Sequence, residues 1–231
     1  MILYALTVFV SAFLLFLVQP VIAKQILPWF GGSAAVWTTC LVFFQCMLLA
    51  GYFYADWTTK KLTPKRQALL HMALIVVAIA MLPIIPDPSW KPTGEEAPSL
   101  RILLLLGATI GLPYFLISTT SPLIQVWFSK RYPGASPYRL FALSNLASMI
   151  ALLGYPFLFE PWIATQQQAI GWSFGFGVFA VLIAASAWFG LYGRGGEPEN
   201  IAAVEPSPDA AEIINPPARR DKLTWIALSA L

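Results

Sequence analysis

The sequence predicts an all-α integral membrane protein with six transmembrane helices and the start of a seventh. Of the 231 residues, 58% are hydrophobic and only 11% are charged, whereas a soluble domain carries about 25% charged residues. The mean hydropathy is +0.70. A water-soluble surface needs more charge than this chain has, so we expect the lipid bilayer to be its first partner.

The apolar residues fall into separate stretches of about the length that crosses a bilayer. A spanning helix needs roughly 20 mostly apolar residues, and six stretches reach or approach that length. A further stretch, 223–231, has nine residues, so we expect the chain to stop inside a seventh helix, as a fragment or a truncated gene product would. The six predicted spans are 2–23, 34–55, 67–85, 102–127, 140–159 and 169–192.

The basic residues predict the orientation of these spans. Lys and Arg are enriched in cytoplasmic loops, and 11 of the 14 basic residues follow the second, fourth and sixth stretches. We therefore expect a cytoplasmic N-terminus. The three basic residues on the opposite side are Lys24, Lys91 and Arg101.

Composition divides the chain into three parts. Residues 1–192 form the predicted six-helix transmembrane bundle. Residues 193–222 are rich in proline and acidic side chains and contain no aromatic residue, which is typical of a segment that cannot bury enough apolar surface to fold. We expect 193–222 to be a disordered cytoplasmic linker and 223–231 to begin the truncated seventh helix.

Residues that carry chemistry are scarce. The single histidine, His71, and the two cysteines, Cys40 and Cys46, do not have the spacing of metal ligands. No Ser-His-Asp pattern, phosphate loop or dinucleotide fingerprint is present. No basic run is long enough to indicate nucleic acid as a partner. The sequence thus predicts no catalytic residue, no metal and no cofactor.

The fourth stretch carries the densest group of uncharged polar residues. Pro113 and Pro122 flank four consecutive hydroxyl residues. Proline removes a backbone donor, and within a membrane the freed carbonyl must find a neighbour, a hydroxyl or water. We expect this helix to be kinked or locally unwound beside a polar pocket.

Polar residues of other stretches belong to the same prediction. We expect a ligand-binding pocket for a small solute between the first, second, fourth and fifth helices. The alternative is that these side chains join helices to one another, as uncharged polar residues commonly do in membrane bundles. The candidate residues are Gln19, Gln45, Ser118, Thr119, Thr120, Ser121 and Asn145.

Three long segments carry a family resemblance. They include GLPYFLISTTSPLIQVWF, at residues 111–128, together with residues 19–57 and 136–161. In this order they resemble the membrane half of bacterial spermidine-synthase-like proteins, which join a major-facilitator-like region to a spermidine synthase domain. The resemblance implies a major-facilitator-like half-bundle in the bacterial inner membrane. It also implies a C-terminal soluble domain that this chain lacks, so no catalytic residue carries over.

Two functions compete at this stage, and an enzyme in its own right is the least favoured. The first is a solute-binding or transport module. A polyamine would be the ligand that the resemblance suggests, but no span has a carboxylate at its centre and an unpaired buried cation is very costly. A neutral ligand fits better. The second function is a structural anchor or accessory subunit that packs against other membrane subunits.

Overall fold

The computed structural model describes residues 1–92, 98–132 and 138–192, and within these ranges the chain is helical and has no strand. The predicted linker 193–222 and the predicted seventh helix 223–231 lie outside the described residues. A short 3₁₀ helix, Pro88–Trp90, precedes the fourth long helix. The long helices are α1 (Ile2–Phe30), α2 (Ala34–Lys61), α3 (Pro64–Ala80), α4 (Pro98–Arg131), α5 (Tyr138–Phe159) and α6 (Thr165–Tyr192).

Each predicted apolar stretch overlaps one of these helices. Five of them, α1, α2, α4, α5 and α6, are long and apolar enough to cross a membrane, which indicates a multi-pass membrane protein. The exception is α3, which has 17 residues. The sequence predicts that this span ends at residue 85, but α3 ends at Ala80. Pro83 and Pro86 follow closely, and the residue before a proline is pushed out of the helical conformation.

Short capped connections join the first three helices. Gly31, with φ 84°, ends α1 in a conformation that only glycine adopts at little cost. The Ser33 side chain accepts a hydrogen bond from the backbone N–H of Val36 at the start of α2. Thr63 caps α3 in the same way, through the N–H of Arg66. Side-chain oxygens at these positions satisfy donors that a helix start leaves unpaired.

Helix α1 lies at the centre of the bundle and is buried along most of its length. Two polar contacts join it to α6 among apolar neighbours. The Trp172 indole N–H donates to the carbonyl of Leu14 at 2.9 Å, and the hydroxyls of Thr7 and Ser186 lie 2.9 Å apart. Hydrogen bonds of this kind fix the rotation of one membrane helix against another.

At one end of the bundle a single amide links α2, α3 and α4. The Gln67 Nε2 donates to the hydroxyls of Thr58 and Thr59, both at 3.0 Å. Its Oε1 accepts from the Trp127 indole at 3.2 Å. Because Gln67 is only 2% exposed, the network satisfies groups that would otherwise be buried without partners.

Helices α2 and α4 approach each other closely at Gly51. A Cβ atom at this position would clash with the Ser118 hydroxyl and lie 3.3 Å from the carbonyl oxygen of Phe115. The absence of a side chain at Gly51 therefore lets the polar part of α4 pack directly against the α2 backbone.

Two of the long helices contain irregular turns. Helix α4 is α-helical over Pro98–Leu106, Leu112–Ser118 and Thr120–Arg131, with a π-helical turn at Gly107–Gly111. Helix α5 ends in a second π-helical turn, Tyr155–Phe159, which contains Pro156. Both turns lie at or just before a proline, which cannot donate the usual i to i−4 hydrogen bond.

Candidate functional site

A polar cavity of about 250 Å³ lies between α1, α2, α4 and α5, the four helices for which a pocket was predicted. Its volume is below the roughly 300–1,000 Å³ of a typical pocket for a drug-sized ligand, so it suits a small solute. None of its lining residues is charged. The lining consists of Ser11, Ala12, Leu15, Phe16, Leu48, Tyr52, Ile117, Ser118, Ser121, Phe141, Ser144, Asn145 and Ser148.

Prolines leave backbone carbonyls without their usual donors beside this cavity. Pro122 has no N–H to offer the carbonyl of Ser118, and Pro20 has none for the carbonyl of Phe16. Ser118 and Phe16 both line the cavity. Irregular backbone at membrane depth is tolerated where it lines a cavity or is covered by protein, so the prolines add polar groups to a wall already rich in hydroxyls.

Three of the six cavity hydroxyls donate their hydrogen to a carbonyl of their own helix. Ser11 donates to the carbonyl of Val8 at 2.9 Å, Ser118 to that of Phe115 at 2.6 Å, and Ser148 to that of Ser144 at 2.9 Å. Their oxygen lone pairs remain free to accept. At these three positions the cavity wall offers hydrogen-bond acceptors, which favours a solute that carries N–H or O–H donors.

Ser121 and Asn145 differ from these three serines. Ser121 accepts a hydrogen bond from Gln125 Nε2 at 3.0 Å, so its own hydrogen is available as a donor. Asn145 is exposed and makes no hydrogen bond within the part of the chain that the structure describes. An amide offers two donors and an acceptor. Asn145 is thus the side chain best able both to donate hydrogen bonds to a solute and to accept one from it.

The structure brings together three of the seven candidate residues, Ser118, Ser121 and Asn145. Thr119 and Thr120, with no exposed surface, both donate to the carbonyl of Leu116, at 2.7 and 3.3 Å. Those two hydroxyls compensate for the irregular backbone of α4 and do not line the cavity.

The two glutamines lie elsewhere. Gln45 is exposed on α2 and lies outside the cavity lining. Gln19 donates to the Tyr114 hydroxyl at 3.3 Å and lines a second cavity of about 240 Å³ with Pro20, Trp37, Leu152 and other residues of α1, α2 and α5.

The two cavities lie on the same faces of the same helices. On α1 the lining continues from Ser11 and Leu15 of the first cavity to Gln19 and Ala23 of the second. The spacing of four residues keeps these side chains on one face. From Ser11 to Ala23 is about 18 Å at 1.5 Å per residue. The cavities therefore form one seam, whose first part is polar and whose second part is mostly apolar.

Sequence reasoning missed two cavity residues, Ser11 and Ser148. Each had a usable signal. Ser148 lies four residues after Ser144, and Ser11 lies eight residues before Gln19; both spacings place the pairs on one helix face. Single serines in apolar helices are common, so the signal is visible only when helix faces are compared.

Within residues 1–92, 98–132 and 138–192, no three His, Cys, Asp or Glu side chains lie together as metal ligands would. Cys40 and Cys46 are both free thiols. His71 has no exposed surface and packs against Tyr54, with 6.0 Å between the ring centroids. The chain matches no known protein family, no curated protein and no solved structure.

Proposed function

We propose that this chain is the non-catalytic membrane module of a spermidine-synthase-like protein and that it binds or transports a small uncharged solute. The module has six spans, in the arrangement of a major-facilitator half-bundle. It lies in the bacterial inner membrane with its N-terminus in the cytoplasm. Support comes from the three sequence segments that resemble that family and from the distribution of basic residues.

The observation that carries the solute-binding role is the polar cavity between α1, α2, α4 and α5. It contains six hydroxyl side chains and one amide but no charged group. A cation would lack a counter-charge there, and burying an unpaired charge is costly. A neutral solute with several donors, such as a small polyol or amide, matches the acceptor-rich wall.

Thermal unfolding of the purified full chain tests this role. The probes are a panel of small polyols and amides, with spermidine as the polycation. A ligand that binds only the folded state stabilises it by about 2.7 kcal/mol at a concentration 100 times its Kd. We expect at least one uncharged probe to raise the Tm in a saturable manner, and spermidine to have no such effect.

Variants on α5 make the test specific. Asn145→Leu places an apolar side chain at the cavity and should abolish the saturable rise in Tm. The control is Ala142→Leu, at an exposed position of the same helix that does not line the cavity. If no probe stabilises the chain, or if both variants respond like the wild type, the solute-binding role is wrong.

A second function, as an anchor or accessory subunit in a larger membrane complex, is favoured by the exposed amides of Gln45 and Asn145. Polar side chains within spans rarely face lipid, so a partner that covers them would satisfy them. Photo-crosslinking groups placed at positions 45 and 76 separate the alternatives, since Val76 is 67% exposed on α3. A stoichiometric protein adduct from position 45 alone supports the anchor; lipid adducts from both positions argue against it.

A further inference from the structure

A further concavity lies against α6, on the side of α1 opposite to the polar cavity. It is a groove of about 360 Å³ with an almost entirely apolar lining. Leu14, Leu17 and Val21 form one wall, and Gly171, Gly175 and Val178 form the other. A Cβ atom at Gly171 would have no neighbour within 4 Å. The groove is therefore open at this point because α6 has no side chain there.

The groove extends to about the depth of one lipid leaflet. Its lining on α6 runs from Gln167 to Val178, which is about 17 Å along the helix axis. Half of the roughly 30 Å hydrocarbon core is about 15 Å. Because α6 begins at Thr165, the groove starts near one membrane surface and ends near the bilayer centre. An acyl chain that enters from that surface would fill it lengthwise.

The surface end of the groove contains an acceptor without a donor. Gln168 lines the groove and is only 5% exposed. Its Nε2 donates to the carbonyls of Ile163 at 2.7 Å and Phe159 at 3.3 Å. Its buried Oε1 accepts no hydrogen bond. Since buried polar atoms are nearly always paired, a group that brings a donor to this end would complete the site.

Two opposite charges lie just beyond this end, outside the groove lining. Lys24 and Glu160 form an ion pair at 3.2 Å, with side chains 36% and 46% exposed. Glu160 follows Phe159 of the groove lining, and Lys24 is one turn beyond Val21. The pair offers a cation to a phosphate and a carboxylate to an ammonium group.

We propose that this groove binds one acyl chain of a phospholipid with an ethanolamine head group. The ammonium group lies beside Glu160 and donates to Gln168 Oε1, and the phosphate lies beside Lys24. A choline head group has no N–H to donate, and a glycerol head group has no positive charge for Glu160. The site therefore distinguishes three phospholipids whose acyl chains are identical.

Retention of lipid through purification tests this proposal. The full chain is incorporated into bilayers that contain equal amounts of ethanolamine, glycerol and choline phospholipids with the same acyl chains. After extraction in mild detergent, native mass spectrometry counts the lipids on each chain. We expect one retained lipid per chain and a roughly tenfold preference for ethanolamine, which corresponds to about 1.4 kcal/mol.

Two glycine variants of α6 locate the site. Gly171→Leu fills the groove and should abolish selective retention. Gly177→Leu makes the same change on the same helix, also with nothing within 4 Å of its Cβ but outside the groove lining, and should retain the lipid. Equal retention of the three phospholipids by the wild type, or equal selectivity of the two variants, would overturn the proposal.

Glu160→Gln tests the head group separately from the groove. Glu160 is half-exposed and pairs with Lys24, so this change removes that ion pair but leaves the apolar lining of the groove unaltered. We expect one lipid still to be retained, with the preference for ethanolamine over glycerol reduced severalfold. An unchanged preference would show that the carboxylate does not contact the head group, and the assignment of the lipid would then be wrong.

Discussion

Helix α1 has a concavity on each of two sides, and the two differ in chemistry although their volumes are similar. The cavity towards α2, α4 and α5 is lined by six hydroxyl side chains, three of which donate their hydrogen to nearby carbonyls. The groove towards α6 is apolar, apart from one end where Gln168 has an acceptor without a donor. One surface is suited to a polar solute and the other to a lipid chain.

The difference comes from how each side of α1 is packed. Towards α6, large side chains such as Trp172 and Phe176 have almost no exposed surface, and glycine leaves only a shallow groove. Towards α5, small residues such as Ser11 and Ser144 do not fill the space between helices. Interiors are normally close-packed. Of the two spaces, the one with polar walls is therefore the better candidate for a solute site.

The largest effect that separates the two sides is expected at Gly51. In Gly51→Ala the new Cβ clashes with the Ser118 hydroxyl at the wall of the polar cavity. Overpacking of this kind costs about 1–3 kcal/mol. We expect a lower Tm in detergent together with loss of any solute-dependent stabilisation.

Gly107→Ala is the matched control for Gly51→Ala, because no atom lies within 4 Å of its added Cβ. It should be as stable as the wild type or more stable by up to about 1 kcal/mol, because alanine favours a helix over glycine. If the two alanine variants had the same Tm, the close approach of α2 and α4 would not hold in solution.

A smaller effect is expected on the α6 side. Trp172→Phe removes the indole N–H that donates to the carbonyl of Leu14. That carbonyl keeps its backbone partner within helix α1, so the loss is the net value of one hydrogen bond, about 0.5–1.5 kcal/mol. We expect a lower Tm but no change in solute response. Trp188→Phe, at a position that is 64% exposed, is the control; an equally large decrease there would contradict the prediction.

The smallest effect is expected for Gly175→Ala. Its Cβ would lie 2.9 Å from Leu14 Cδ2, the end of a flexible side chain that can turn away. Alanine also favours the helix by up to about 1 kcal/mol over glycine. The two terms nearly cancel, so we expect a change in unfolding free energy within about 0.5 kcal/mol. Chemical denaturation in detergent measures it, and a loss above 2 kcal/mol would mean that Leu14 is immobile.

Part of this structure could be predicted from the sequence because hydrophobicity and proline act locally. Each of the six apolar stretches overlaps a long helix. Pro113 of α4 lies just after one irregular turn, and Pro156 of α5 lies within another. The end of α3 was predicted wrongly because apolar residues continue to Ile85. Hydropathy alone does not show that Pro83 interrupts the helix.

The candidate site was harder to predict, because helix rotation decides which polar residues meet. Ser118 and Ser121 line the cavity, whereas Thr119 and Thr120, between them, do not. The four hydroxyl residues are consecutive, so only their direction around α4 distinguishes them. That direction depends on long-range packing, such as the contact between Ser118 and Gly51, which no local pattern contains.

The π-helical turn at Gly107–Gly111 contributes to that direction together with the packing. A π turn contains about one residue more than an α turn, and one residue corresponds to a rotation of about 100° around the helix axis. Without this turn, every side chain from Leu112 onwards would point about 100° away from its present direction relative to the first part of α4. The position of this extra residue therefore helps to set which hydroxyl side chains face the cavity. If it moved along α4 past these residues, different hydroxyls would face the cavity.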